Sequence, residues 1–427
     1  MKYNSFYITT LGCSKNTVDS EILKGRLQKA GLEWKKPDKS DILIINTCGF
    51  ILDAKEESIE SIMEAVQFKK EGKINKLIVM GCLVERYRDE LKEEIPEVDS
   101  FYGVEPFHQI MQEIAEDNEG QRDLLTPSHY AYLKIAEGCD NICSFCAIPG
   151  IRGKQKSRKI EDLIQEAEYL NTLGVKELII IAQDTTRYGT DIYDQRKLHE
   201  LLARLLNEKL FPRVRLMYTN PDFWQKELNS LYNEYPEFCP YVDLPIQHAS
   251  DRILDNMNRK KDQDSIREII AHLREDVPGI AIRTTVMVGF PGETDEEFYK
   301  LLDFIEEMQF ERLGAFKYSE EEDTDAAGFN DIVSDDKKDE RLDLVMSSQY
   351  DISTEFARSK VGQEVEVIID EENGQQALGR TVWDAPEVDC NVFINNSSVE
   401  QGRIYKVLIT GTQEFDLIGK IKGEKEL

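Results

Sequence analysis

The sequence predicts an α/β protein in three parts: an N-terminal doubly wound α/β domain, a central partial (βα)6 barrel and a C-terminal small all-β barrel. Three observations carry that prediction. Apolar runs of strand length alternate with amphipathic helical stretches along most of the chain. After about Tyr130 six strand–helix units follow one another without obvious hairpins, short of the eight strands of a closed barrel. Beyond residue 359 the pattern shifts to short strands with Asn and Gly turns.

The first part spans residues 3–120. Phe6-Tyr7-Ile8-Thr9-Thr10 reads as a strand, and Thr17 to Ala30 as a helix ended by Gly31. Asp41-Ile42-Leu43-Ile44-Ile45-Asn46 is apolar almost throughout, as a strand covered on both faces must be. An amphipathic helix from Ala54 to Lys70 stops at Gly72, and Lys76-Leu77-Ile78-Val79-Met80 is a third strand. Asp117-Asn118-Glu119-Gly120 reads as a linker.

The second part is expected over 125–356. Its strands are Ala131–Ala136, Glu177–Ala182, Val214–Tyr218, Tyr241–Leu244, Ala281–Val288 and Leu313–Lys317. An acidic run over 320–340 reads as a solvated loop, and a helix from Lys337 to Ser359 follows. In the third part, 359–427, strands are expected at Glu364–Ile369, Gln376–Val382, Cys390–Ile394, Ile404–Thr410 and Phe415–Gly419, a module the size of a small barrel.

Composition narrows the classes. The chain has 427 residues, 41% hydrophobic and 32% charged, which excludes a fibrous or wholly disordered protein. No window approaches the ~18 uninterrupted apolar residues of a membrane helix. The start, Met1-Lys2-Tyr3-Asn4-Ser5, lacks a signal-peptide layout, so a cytoplasmic location is expected. A net charge of −29 repels phosphate backbones, which argues against strong nonspecific nucleic-acid binding and favours encounter with a basic partner.

The cysteines carry the chemistry. Cys13, Cys48 and Cys82 each follow a predicted strand and sit beside a glycine, in Leu11-Gly12-Cys13, Thr47-Cys48-Gly49 and Gly81-Cys82-Leu83. In a parallel sheet the strand C-termini share one edge, so three thiols distant in sequence converge there on a shared ligand. Cys139, Cys143 and Cys146 occupy one short loop at C-x3-C-x2-C. Three thiolates leave one coordination position open, and with no second CxxC or nearby histidine the set favours an iron–sulfur cluster over structural zinc. Cys239 and Cys390 read as packing residues.

That spacing, after the first strand of a partial barrel and with Phe145 before the last cysteine, resembles the radical S-adenosylmethionine (SAM) superfamily. Ile135-Ala136-Glu137-Gly138-Cys139, Ala147-Ile148-Pro149-Gly150-Ile151-Arg152-Gly153 and Ser157-Arg158 are similar to the methylthiotransferase branch. So is the order of an N-terminal three-cysteine domain, a radical-SAM core and a C-terminal TRAM barrel, over essentially the whole chain. Within that branch, Ala182-Gln183-Asp184-Thr185-Thr186-Arg187-Tyr188-Gly189, Asp243-Leu244-Pro245-Ile246-Gln247-His248-Ala249-Ser250 and Gly289-Phe290-Pro291-Gly292-Glu293-Thr294 resemble the RimO type, which modifies an aspartate of a small-subunit ribosomal protein. Glu321-Glu322-Asp323-Thr324 departs from the family, which usually has glycine before the threonine.

The resemblance implies two 4Fe-4S clusters and SAM. One cluster, on Cys139, Cys143 and Cys146, binds and cleaves SAM; the auxiliary one, on Cys13, Cys48 and Cys82, carries sulfur. It implies methylthiolation of the aspartate β-carbon, with a flavodoxin or ferredoxin as reductant and a basic ribosomal protein as substrate. By strand-end position, Gln183, Asp184, Gln247, His248, Arg283 and Gly289 are candidates to contact SAM or orient the target. Arg158 is a candidate for SAM's carboxylate, and the run Arg152, Lys154, Lys156, Arg158, Lys159 reads as anion-binding. Residues 360–427 carry seven Lys/Arg against thirteen Asp/Glu, a poor RNA clamp but a dock for a basic protein. This argues against the first alternative, a transfer-RNA adenosine methylthiotransferase. The open position at both cysteine sets argues against the second, a non-catalytic iron–sulfur electron-transfer protein.

Overall fold

In the computed structural model, residues 3–116, 120–395 and 399–424 are described; the start Met1-Lys2 and most of the expected linker at 117–120 lie outside them. The chain divides into two units. The first comprises Met1–Thr126 with Gly138–Asp140 and Ala147–Lys154, the second Pro127–Glu137, Asn141–Cys146 and Gln155–Leu427.

In the first unit the elements run β1 (Ser5–Thr10), α1 (Ser14–Lys29), β2 (Glu33–Trp34), β3 (Ile42–Thr47), α2 (Leu52–Lys70), β4 (Lys76–Gly81), α3 (Cys82–Glu94), β5 (Ser100–Tyr102) and α4 (Phe107–Ile114). The sheet is parallel in the order β2-β1-β3-β4-β5. Alternate residues of its central strands feed two cores. Leu43, Ile45, Leu77 and Val79 pack on Ile62 and Val66 of α2, while Ile42, Ile44, Ile78 and Met80 pack on Leu23 and Leu27 of α1 and Ile110 of α4. This double coverage is why β3 is apolar almost throughout and buried at every position. Two edge strands join the three expected from the sequence, because β2 and β5 are too short to show a period.

The second unit opens with β6 (Tyr130–Lys134) and β7 (Ala136–Glu137); α5 (Ile148–Arg152) belongs to the first unit, and β8 (Lys156–Ser157) returns the chain to the second. Then follow α6 (Ile160–Thr172), β9 (Glu177–Ile181), α7 (Leu198–Asn207), β10 (Arg213–Leu216), α8 (Leu228–Glu234), β11 (Tyr241–Asp243), α9 (Asp251–Asn256), α10 (Gln263–Asp276), β12 (Ala281–Val288), α11 (Asp295–Met308), β13 (Arg312–Lys317) and α12 (Asp335–Ser359). The strands form two parallel triples, β6-β9-β10 and β11-β12-β13. A bridge from Val214 to Phe238 and the bond from Thr219 N to Asp243 O (3.1 Å) join β10 to the β11 side, making the six-stranded partial barrel. The short antiparallel pair β7–β8, not foreseen from the sequence, brackets the Cys139–Cys146 loop.

The last strands, β14 (Glu364–Glu372), β15 (Ala377–Arg380), β16 (Val392–Ile394), β17 (Ile404–Gln413) and β18 (Asp416–Glu424), close a barrel in the order β14-β15-β16-β18-β17. It meets the partial barrel through a buried polar seam at the starts of the strands. Arg213 donates to Arg380 O (3.1 Å) and Glu366 O (2.9 Å), and Arg215 to Glu177 Oε1 (2.7 Å) and Val382 O (3.0 Å). Arg380 pairs with Glu177 (2.9 Å) and Asp370 (2.7 Å), Arg312 with Asp384 (2.6 Å), and Tyr241 donates to Asp389 (2.8 Å). Asp370, Asp384 and Asp389 therefore face this seam, so part of this barrel's acidity is internal counter-charge rather than outer surface. Among the described residues no helix is long and apolar enough to cross a membrane.

Candidate active site

In the first unit, β1, β3 and β4 are adjacent and each delivers a cysteine at its C-terminal end. Cys13 is the N-cap of α1, which therefore starts at Ser14 rather than at the expected Thr17; Cys48 follows β3, and Cys82 opens α3. The three thiols thus stand at the ends of neighbouring strands, near enough to act on one another electrostatically. Gly12 shows why a glycine stands here: at φ +85° a Cβ would lie 2.7 Å from Cys48 Cβ and 2.9 Å from its Sγ. Gly12→Ala is expected to push the Cys48 side chain aside and so to lower several-fold the metal uptake expected of the N-terminal set, measured as iron content after anaerobic reconstitution.

Burial pushes the Cys82 thiol up to about 12 and raises Cys48 as well, with Arg152 opposing both. Such thiols are poor free nucleophiles; a bound positive centre stabilises their deprotonated form, so the donor set fits a soft metal or cluster. Arg152 is buried, pairing with Asp19 (3.2 Å) and hydrogen-bonding Asn16 Oδ1 (2.5 Å). The basic run is thus divided: Arg152 points inward, Lys154, Lys156 and Lys159 are exposed, and Arg158 pairs with Glu166 (2.6 Å) and donates to Lys134 O (3.0 Å).

The C-x3-C-x2-C loop is held at several points. Within the first unit, Cys139 N donates to Gly153 O (3.0 Å). Within the second, Asn141 donates to Asp184 Oδ2 (2.7 Å) and accepts from Arg187 (2.9 Å). Ser144 donates through N to Met257 O (3.2 Å) and through Oγ to Asn256 O (2.6 Å), and Asn258 Nδ2 donates to Ile142 O (2.9 Å). Phe145 packs against a cluster containing Ile253, Met257 and Phe290. Burial raises the Cys143 thiol, and Arg259, 4.0 Å from its Sγ, opposes this. Arg259 is itself fixed by Asn220 Oδ1 (2.9 Å) and Pro245 O (3.0 Å).

The strand-end candidates separate by their partners. Gln183 donates to Glu137 Oε1, while its own buried Oε1 has no hydrogen-bond partner. Asp184 is satisfied by Asn141, Asn220 (3.3 Å) and Thr186 N (2.9 Å), so it supports the cysteine loop. Gln247, at φ +69°, bridges to β12 through Thr285 O (2.9 Å) and Met287 N (2.8 Å). His248 is fully buried; its Nδ1 accepts from Ser250 N (2.9 Å) and its Nε2 stands 3.5 Å from Glu293. Arg283 lies early in β12, between Asp243 (3.2 Å) and Asp389 (3.3 Å). At Gly289, φ +73°, a Cβ would meet Lys338 Cγ at 2.3 Å, and its N–H donates to Glu293.

Asn16, Asn141 and Arg259 escape sequence reasoning. Asparagine carries no motif of its own, and Arg259 reaches Cys143 from far along the chain. Cys239 and Cys390 are buried, and burial raises both thiols, in keeping with packing roles.

Three family models match the chain: "Uncharacterized protein family UPF0004" over residues 5–103, the radical SAM superfamily over 133–305 and the TRAM domain over 361–421. Among curated relatives, the ribosomal protein uS12 methylthiotransferase RimO of Chloroherpeton thalassium is 44% identical over 98% of this chain and 99% of its own. The protein of the same name from Phocaeicola vulgatus is 46% identical over 99% and 100%. Among solved structures, the radical SAM methyltransferase TsrM of Kitasatospora setae superposes with a TM-score of 0.56 at 13% identity, covering 73% of this chain and 72% of that one. The cobalamin-dependent SAM radical enzyme OxsB superposes with 0.53 at 10% identity over 82% and 58%. At such identities these two likenesses speak to the fold alone.

Proposed function

The chain belongs to the ribosomal protein uS12 methylthiotransferase RimO family, and on that premise we propose how its residues divide the work. It is a radical SAM enzyme that methylthiolates ribosomal protein uS12, using a 4Fe-4S cluster and SAM. In our reading the target is an aspartate β-carbon, whose hydrogen is too weakly acidic for ordinary base chemistry. Cys139, Cys143 and Cys146 hold the cluster that binds SAM; Cys13, Cys48 and Cys82 hold a second cluster. When bound, the first supplies the electron that makes SAM a source of a hydrogen-abstracting carbon radical, and the second supplies sulfur.

The protein's part is positioning. Asn141, Ser144 and Asn258 fix the cysteine loop, and Asp184 holds Asn141. Arg259 supplies positive charge beside Cys143. The free Oε1 of Gln183 is an acceptor for SAM's cationic groups, and Gln247 and the Gly289 backbone complete the rim of strand ends. Asp184 and His248 support that rim. Arg158 and Arg283, engaged by acids, serve SAM through the loops they brace. A flavodoxin or ferredoxin supplies electrons, and the enzyme works in the cytoplasm, where its substrate is.

The observation that carries this reading is the pairing of a C-x3-C-x2-C loop after the first strand of a partial barrel with three cysteines at adjacent strand ends. Mass spectrometry of uS12 and of total transfer-RNA nucleosides, from source cells with and without the gene, tests it. Loss of the methylthio group from the uS12 aspartate is expected, with nucleosides unchanged. An unchanged uS12 and a lost methylthio-adenosine would reassign the substrate to transfer RNA.

A further inference from the structure

Arg152 stands in the chain just after the C-x3-C-x2-C loop, yet its partners belong to the N-terminal cysteine set. It is the last residue of the short helix α5, beside which Ile151 and Ala147 pack on Cys82. Its guanidinium hydrogen-bonds the Cys82 thiol and acts electrostatically on Cys48. The same group bonds Asn16 Oδ1 (2.5 Å) and pairs with Asp19 (3.2 Å), at 6% exposure. Asn16 in turn donates to Leu11 O (2.7 Å) and Thr47 O (3.1 Å), the carbonyls that precede the Gly12-Cys13 and Cys48 turns. One buried cation therefore reaches Cys82 directly and, through Asn16, the backbone leading to Cys13 and Cys48.

We infer that Arg152 is a positioning residue for the group held by Cys13, Cys48 and Cys82: it fixes all three ligand turns and places a permanent positive charge beside their sulfurs. This rests on the reading that those cysteines hold an auxiliary iron–sulfur cluster. Hydrogen bonds to sulfur and nearby charge set a cluster's potential, and a cation favours the reduced, more negative state. Arginine suits the place because its planar fork satisfies Asn16 and Asp19 together, which a lysine point charge does not. Asp19 offsets part of the charge and keeps the fork oriented.

The test uses the full chain carrying Cys139→Ala, Cys143→Ala and Cys146→Ala, so that only the N-terminal set binds a cluster. It is reconstituted anaerobically with iron and sulfide, alone and with Arg152→Met or Arg152→Lys added. Iron per chain, its loss to a chelator and the midpoint potential by EPR-monitored titration are compared. Arg152→Met is expected to shift the oxidised-to-reduced ratio at fixed potential at least tenfold toward oxidised, a fall of ~59 mV for one electron, and to release iron several-fold faster. Arg152→Lys is expected to keep most of the potential and still release iron faster. Should Arg152→Met fail to fold by circular dichroism, the lysine variant decides: retention equal to the parent overturns the inference. So does an unchanged potential and retention in a folded Arg152→Met. Failure of the parent background to bind iron with Arg152 intact overturns the auxiliary-cluster reading instead.

Discussion

Cys143→Ala is expected to reduce reductive SAM cleavage to background while leaving the fold in place. The loop that carries Cys143 is anchored through Asn141, Ser144 and Asn258, none of which needs the thiol. Truncating one half-buried cysteine should therefore cost only ~1 kcal/mol of stability. Losing one of the three cysteines proposed as ligands is different in kind, because the second unit's cysteines off this loop, Cys239 and Cys390, are buried elsewhere in that unit. The measurement is 5′-deoxyadenosine formed under a chemical reductant, with iron content alongside. Cys239→Ala, in the core, is the control and should retain cleavage in proportion to its folded fraction. Full cleavage by Cys143→Ala would remove the radical-SAM assignment from this loop.

Glu177→Gln is expected to cost ~3–5 kcal/mol of stability, because it leaves buried arginines without their counter-charge. Glu177 is fully buried at the start of β9 and bonds Arg215 (2.7 Å) and Arg380 (2.9 Å). Burial alone would raise its carboxyl, but Arg380, Arg215 and Arg213 outweigh that and hold it at about 2 against an ordinary 4.5. A depressed folded-state value means that the stabilisation is complete above about 4.5 and is lost as the pH falls toward about 2. Acid unfolding of the wild-type chain should thus contain a component in that window which Glu177→Gln lacks. Denaturant melts across pH provide the check, and parallel acid limbs for the two proteins would show that Glu177 does not carry this linkage. Arg380 comes from the terminal barrel, so the same substitution should loosen that barrel's attachment to the core. More rapid proteolysis near Ser359 would report it.

Much of the candidate site is written in local sequence. The C-x3-C-x2-C spacing is a property of one loop and needs no tertiary information. The N-terminal cysteines are legible for a topological reason: strands that alternate with helices run parallel, so residues that end them share an edge. The short edges β2 and β5 are not legible, because two or three residues cannot display a period.

What the sequence by itself determined is the fold class, the radical SAM assignment and the places of the six candidate thiols along the chain, since periodicity and short spacings are encoded over a few turns of chain. Only the tertiary structure decided which polar groups serve them. Asp184 turns out to hold Asn141, Arg259 reaches Cys143, and Arg152, read as part of an anion-binding run, is buried against Asn16 and Asp19. The terminal barrel teaches the same lesson. Its excess of acid reads as a surface for a basic partner, yet Asp370, Asp384 and Asp389 are engaged by groups of the core, His129 bonding Asp370 at 2.8 Å from far along the sequence. Composition counts charges without pairing them. A buried charge is stable only beside its counter-charge, and which residues become neighbours is settled when distant strands pack.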